Sequence, residues 1–186
     1  MSMGGYIFQQ TRIGKDGKPF LMFKFRTMRL GADKEKNKYL HLNEADGPVF
    51  KIRNDPRYTK LGKILAYTGF DELPQLINVL KGEMALVGPR PLPSEEESKI
   101  PLEWRQIRRS VKPGITSSWA VSGSHRLSFR QWMELDMKDI RRKGFWYDAG
   151  IILKTIWALT INIVRLGFTG LDKLYPGNYH FTKGHK

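Results

Sequence analysis

Apolar positions along this chain change period several times, and each change predicts an element. Between Gly5 and Met28, Tyr6-Ile7-Phe8 and Phe20-Leu21-Met22-Phe23 flank the turn signal Gly14-Lys15-Asp16-Gly17-Lys18-Pro19, which predicts a small β-hairpin. Lys24-Phe25-Arg26-Thr27-Met28 then alternates charged and apolar residues, so an extended backbone places Lys24 and Arg26 on one face. Residues 29–58 lose periodicity and are broken by Gly47-Pro48 and Asp55-Pro56; they predict a mobile loop with a short strand at Val49-Phe50-Lys51-Ile52.

Helical spacing begins with Leu61, Ile64 and Leu65 in the segment 60–67. A second helix is expected from Thr68 or Gly69, with Pro74 in its first turns and Leu73, Leu76, Ile77 and Leu80 as one apolar stripe ending at Gly82. Residues 94–109 read as a further helix, acidic at its start and basic at its end, as the macrodipole favours. After the turn Lys112-Pro113-Gly114 an extended stretch runs through Trp119, and 129–142 reads as helix. Residues 149–166 form an amphipathic helix suited to a membrane surface, with Ile152, Ile156, Leu159 and Ile163 at spacings of three and four; the tail 167–186 is expected to fray. The fold class is therefore α/β mixed (α+β), mainly helical with an N-terminal hairpin, in one domain over 1–186.

Composition narrows the partners. Lys and Arg total 32 against 18 Asp and Glu, a formal charge of +14, which points to nucleic acid, an anionic membrane surface or a phosphorylated substrate. No nucleic-acid-binding signature accompanies the charge, so nucleic acid is set aside. The absence of cysteine removes thiol catalysis and thiolate metal sites. The longest charge-free apolar stretch, between Lys154 and Arg165, falls short of the roughly 20 residues that cross a bilayer, so no spanning segment is expected.

Candidate chemistry centres on the adjacent acids Asp71-Glu72, followed by the rigid turn Gly88-Pro89-Arg90-Pro91. One acid can attack phosphorus while the other holds a magnesium ion, a hard cation that prefers oxygen ligands. The same pair also reads as helix-start charges serving the dipole. Prolines on both sides of Arg90 limit the entropy its guanidinium loses on gripping phosphate, although a surface turn with an incidental arginine fits as well. Lys24 and Arg26 are a second cationic pair, for which a solvated strand face is the commoner explanation. His41, His125, His180 and His185 show no metal-ligand spacing.

In chain order, Phe8-Gln9-Gln10-Thr11-Arg12-Ile13-Gly14, Lys24-Phe25-Arg26-Thr27-Met28, Asp55-Pro56-Arg57, Asp71-Glu72-Leu73-Pro74-Gln75-Leu76, Asn78-Val79-Leu80-Lys81-Gly82, Gly88-Pro89-Arg90-Pro91 and Pro113-Gly114-Ile115-Thr116 resemble the bacterial sugar transferases that are monotopic polyprenyl-phosphate phosphoglycosyl transferases. The likeness covers about 5–166. It implies transfer of a sugar phosphate from a nucleotide diphosphate sugar to polyprenyl (undecaprenyl) phosphate at the cytoplasmic face of the inner membrane, initiating polysaccharide or glycoconjugate assembly. By that resemblance Asp71 is the nucleophile forming an aspartyl phosphosugar, Glu72 holds Mg2+, and Arg90 binds substrate phosphate; the cationic pair Lys24 and Arg26 is a further candidate to bind that phosphate.

The chain also departs from the family pattern. Only seven residues precede Phe8, where members usually carry a hydrophobic re-entrant helix. Ala66 stands where an arginine is common, Gly69-Phe70 replaces Ser-Leu, Trp119-Ala120 replaces Trp-Gln, and Gly123-Ser124 replaces Gly-Arg. Lys63 or Arg126 are candidates to restore the lost charge, and a weakened member that binds polyprenyl phosphate or a partner without turnover is the alternative.

Overall fold

The computed structural model of the protein describes residues 5–123 and 127–169. Strands β1 (Ile7–Ile13) and β2 (Pro19–Phe25) pair antiparallel, with Ile7 opposite Phe25 and Ile13 opposite Pro19. The turn between them puts Asp16 at φ 58° and Gly17 at φ 74°, left-handed positions that Gly tolerates freely and Asp better than most residues. The predicted hairpin is present. One core cluster, Phe20, Met22 and Met84, lies under it.

Helix α1 (Lys60–Thr68) starts at Thr59, whose hydroxyl accepts from the Gly62 amide at 2.9 Å. It ends at Gly69, φ 75°, and the chain passes through a 3-10 turn at Phe70–Glu72 into α2 (Gln75–Leu80). The expected continuous helix over this stretch is thus two pieces. Its apolar stripe also faces outward: Leu73, Leu76, Ile77 and Leu80 are all exposed. The fully buried side chains of α2, Gln75 and Asn78, are polar, and Val79 packs beside them on the cluster under the hairpin. Asn78, fully buried, donates to the Leu21 carbonyl (2.8 Å) and to Glu83 (2.7 Å), and accepts from the Phe23 amide (3.1 Å). Those bonds tie α2 to β2 and satisfy a polar side chain that would be costly if buried unpaired.

Strands β3 (Ala85–Val87) and β4 (Gly114–Thr116) pair parallel. Between them lie α3 (Ser94–Glu97) and α4 (Leu102–Arg109), which were expected to be one helix; Pro101 separates them because its ring disfavours helical backbone at the preceding residue. A Cβ on Gly114 would stand 2.1 Å from the Gly88 amide nitrogen, so this close backbone approach requires glycine.

The extended stretch expected through Trp119 stops at β4, and Trp119 is buried in α5 (Ser118–Val121). There it stacks on Trp132 of α6 (Phe129–Arg142) with ring centroids 4.3 Å apart, within the larger core cluster of Leu92, Ile100, Trp119, Trp132 and Met133. The strand expected at Val49–Ile52 does not form. Its amides bond to side chains, Lys51 to Asn43 Oδ1 (2.8 Å) and Phe50 to Glu96 Oε1 (3.4 Å), and the Lys51 carbonyl accepts from the Glu44 amide (2.8 Å).

Helix α7 (Phe145–Thr169) is longer than the amphipathic segment expected at 149–166. By length and composition, Phe145–Phe168 is long and apolar enough to cross a bilayer, with 24 residues that include an 18-residue window of mean hydropathy 1.6. The length count behind the expectation stopped at Lys154 and Arg165, whereas the helix runs through both. One side of α7 is fastened to the domain, through Thr155 to Thr116 (2.7 Å) and through Asn162 to the Tyr67 carbonyl (3.1 Å). Its other side exposes Leu153, Ile156, Trp157 and Val164. The expectations for the tail beyond Thr169, and for Ser124, His125 and Arg126, lie outside the described residues.

Candidate active site

Neighbouring side chains diverge by about 100° on an α-helix and about 120° on a 3-10 turn, so two adjacent acids need a third group to share. Lys24 is that group. Its Nζ donates to Glu72 Oε1 at 2.7 Å and to Asp71 Oδ2 at 3.5 Å. Arg90 Nη1 donates to the same Glu72 oxygen at 3.0 Å. The Lys24, Asp71 and Glu72 side chains are only 14%, 13% and 20% exposed, and that of Arg90 is 35% exposed, so the ion cluster is partly shielded from water while arginine keeps an outward aspect. Three distant segments meet here: the end of β2, the turn between α1 and α2, and the loop after β3.

The acids are held unequally. Burial pushes both upward, but on Glu72 the Lys24 and Arg90 charges and their hydrogen bonds win and hold the carboxyl well below the usual range. On Asp71 burial prevails over Lys24, with the Glu72 charge adding to it, and the carboxyl titrates above its ordinary value. Glu72 is therefore committed as an anion to two cations. Asp71 bears the weaker Lys24 contact and the higher proton affinity, the properties expected of the more nucleophilic carboxylate. The cations acting on both acids are Lys24 and Arg90, with Lys63 not among them.

The amides of Glu72 and Leu73 donate to the Gly69 and Phe70 carbonyls, both at 3.2 Å, so these two N–H groups are engaged within the turn. Of the residues proposed to bind phosphate, one lies apart. Arg26 turns away from this geometry, donating from Nε to the Gly5 carbonyl at 3.1 Å and lying over the Phe8 ring at 5.7 Å. Lys24, Asp71, Glu72 and Arg90 converge; Arg26 braces the N-terminal strand.

Arg12 and Asn78 received no individual role from the sequence, although both sat inside the recognised segments. Arg12, on β1, donates to the Pro91 carbonyl (3.2 Å) and to Gln10 (2.6 Å). Burial, reinforced by the neighbouring Arg90 charge, pulls Arg12 down to about 10, which leaves it cationic at neutral pH. Asn78 sets the distance between α2 and β2, and so between the acids and Lys24. Among the described residues no group of three or more His, Cys, Asp or Glu forms a ready-made metal cage. A cavity of about 10 Å³ is lined by residues that include Val87, Pro89, Asp139 and Lys143, with none of the four clustered residues in its lining.

The chain is 42% identical over 165 residues to the galactosyl transferase CpsE of Streptococcus agalactiae serotype III, covering 88% of this chain and 35% of the relative. It is 37% identical to the UDP-glucose:undecaprenyl-phosphate glucose-1-phosphate transferase of Escherichia coli K12, covering 87% and 34%. It is 34% identical to the exopolysaccharide production protein ExoY of Rhizobium meliloti, covering 87% and 73%. The chain thus spans about a third of the length of the first two relatives. The model of the bacterial sugar transferase family matches residues 1–162, nearly all of the described fold, and the chain belongs to that family.

Proposed function

We propose that the chain is a phosphoglycosyl transferase domain that moves a sugar phosphate from a nucleotide diphosphate sugar to polyprenyl phosphate. The observation that carries this reading is the sharing of Lys24 by Asp71 and Glu72 with Arg90 on the same Glu72 oxygen. A carboxylate oxygen of Asp71 attacks the phosphorus bonded to the sugar. The bond from that phosphorus to the bridging oxygen breaks, the nucleoside monophosphate leaves with the electron pair, and an aspartyl phosphosugar remains. A phosphate oxygen of the polyprenyl acceptor then attacks the same phosphorus and frees the Asp71 carboxylate. Arg90 and Lys24 bind the charge that collects on the phosphoryl oxygens.

Magnesium suits this donor set. It binds hard oxygen ligands, and in phosphate-handling sites it uses one or two carboxylates together with substrate phosphates and water rather than a full protein cage. Glu72 would hold it, and when bound it would neutralise the diphosphate.

A lipid acceptor presents its phosphate at a membrane surface. Phe70, Leu73, Leu76, Ile77 and Leu80, beside or just after the acids, are exposed, as are Trp157 and Val164 on α7. This apolar face next to the nucleophile, on a chain of charge +14, supports seating on an anionic membrane, for which we propose the cytoplasmic face of the inner membrane. There the reaction initiates polysaccharide or glycoconjugate assembly.

The reading is tested by incubating the protein with magnesium, polyprenyl phosphate and a panel of nucleotide sugars. Release of nucleoside monophosphate with one of them, abolished by chelation, is expected. No release across the panel favours the second reading, a weakened member that binds without turnover, which the loss of charge at Ala66 motivates.

Protonation gives a finer check. Asp71 must be ionised to attack, so the acid limb of kcat/KM lies above the ordinary carboxylate range and activity falls as pH drops through it. Because Lys24 favours the Asp71 anion, Lys24→Met is expected to move that limb to higher pH. An unmoved limb separates Lys24 from the titrating group.

A further inference from the structure

The loop that carries Arg90 is pinned at every carbonyl from Pro89 to Leu92. The Pro89 oxygen accepts from the Gly114 amide (3.0 Å), the Pro91 oxygen from Arg12 (3.2 Å), and the Leu92 oxygen from the Ile13 amide (3.1 Å). The remaining one, the Arg90 oxygen, accepts from Arg108 Nη2 at 2.7 Å. Arg108 belongs to α4 and is buried, and its Nη1 bonds Asp136 of α6, a side chain with no exposure at all. The Trp132 ring covers the guanidinium, 5.7 Å from its Cζ.

Net stability is a poor explanation for such a pair, because desolvating two charges offsets most of their attraction and apolar replacements are often neutral. What an apolar pair lacks is a planar fork that grips a carboxylate with one arm and a backbone carbonyl with the other. With both flanking prolines fixing their own φ, holding the Arg90 carbonyl leaves that residue little freedom except in its side chain.

We propose that Arg108, neutralised by Asp136, is a positioning residue for phosphoryl transfer: its bond to the Arg90 carbonyl sets where the Arg90 guanidinium meets substrate phosphate. This rests on the reading of Arg90 as a phosphate-binding group. A small displacement of a group that contacts the reacting phosphate costs up to about 100-fold in rate, whereas general damage acts whether or not Arg90 is present.

The test is a cycle measured as kcat/KM for nucleoside monophosphate release by the full chain. Arg108→Met with Asp136→Leu keeps an apolar, well-filled site without the fork. In the parent background this pair is expected to lower kcat/KM by about 10- to 100-fold. In an Arg90→Ala background it is expected to lower it less than about twofold, because the group being positioned is gone. Equal losses in both backgrounds, or no loss in the parent, overturn the proposal.

Should the paired variant not fold, Arg108→Lys carries the same cycle, since an ammonium keeps the charge against Asp136 but lacks the two-armed fork. A loss confined to the parent background again supports the positioning role, and equal losses again overturn it. If Asp71→Asn abolishes transfer while the cycle is additive, only the positioning role falls. If Asp71→Asn keeps turnover, the transferase reading itself falls, and the positioning role with it.

Discussion

Asp71→Asn is expected to lower sugar-phosphate transfer by at least about 1,000-fold, because loss of a covalent nucleophile removes the step that all later steps need. The same change is expected to leave the melting temperature unchanged or slightly raised. Burial holds the Asp71 carboxyl above its ordinary pKa, so the folded protein binds that proton more tightly than the unfolded chain does. At neutral pH the buried anion therefore costs stability, and a neutral amide of the same shape does not. It gives up a 3.5 Å contact to Lys24, while Lys24 keeps its 2.7 Å bond to Glu72. Dead but stable is the signature of a catalytic residue, and rate together with a thermal melt on one preparation reads both. A variant that is inactive and unfolded at the assay temperature would assign Asp71 to structure instead.

Gly62→Ala is expected to be the most damaging small change to the fold. A Cβ at Gly62 would lie 1.7 Å from the Thr27 carbonyl oxygen and 2.4 Å from its carbon. Both are backbone atoms, so no rotamer change relieves the overlap. The same carbonyl accepts from the Thr59 amide (3.0 Å) that begins α1, which couples the helix start to the strand leaving β2. Either α1 moves off that strand or the cap breaks, and both routes separate the Asp71 turn from Lys24. A loss of more than about 3 kcal/mol is expected, at the upper end of what single substitutions cost, with activity falling further than stability alone dictates. An unchanged melting temperature would contradict the seating of α1 described here.

How much of this was legible in the sequence depends on whether the cause was local. The hairpin was, since its turn chemistry and flanking apolar runs sit within one short segment. The adjacency of Asp71 and Glu72 and the stiffness of Pro89-Arg90-Pro91 were also plain, and the structure brings these groups together. Periodicity on α2 showed that Leu73, Leu76, Ile77 and Leu80 share a face, yet it could not say whether that face meets the core or the outside. Only the Asn78 bonds to Leu21 and Phe23, across more than fifty positions of chain, settle which side of α2 turns inward.

Other misses have similar physical origins. Val49–Ile52 looks like a strand by composition, but a strand needs a partner, and its amides found Asn43 and Glu96. Treating Lys154 and Arg165 as limits undercounted α7, because a basic side chain whose charged end reaches outward does not interrupt helical backbone. Arg26 was paired with Lys24 on strand alternation alone. In the structure Lys24 reaches the acids, whereas Arg26 donates to the Gly5 carbonyl and lies over the Phe8 ring. Arg108 was read only as a dipole charge at the end of α4, since nothing local reveals Asp136 on α6 or the Arg90 carbonyl.

The central claim, that an Asp71 oxygen bonds to phosphorus, is tested most directly by intact-mass measurement after mixing the protein with magnesium and its nucleotide sugar, lipid acceptor withheld. The account predicts a mass gain equal to one sugar phosphate, mapped by peptide analysis to the segment holding Asp71, absent from Asp71→Asn and discharged when polyprenyl phosphate is added. Full transfer to the acceptor with no adduct at any time, or an adduct that persists in Asp71→Asn, would contradict it.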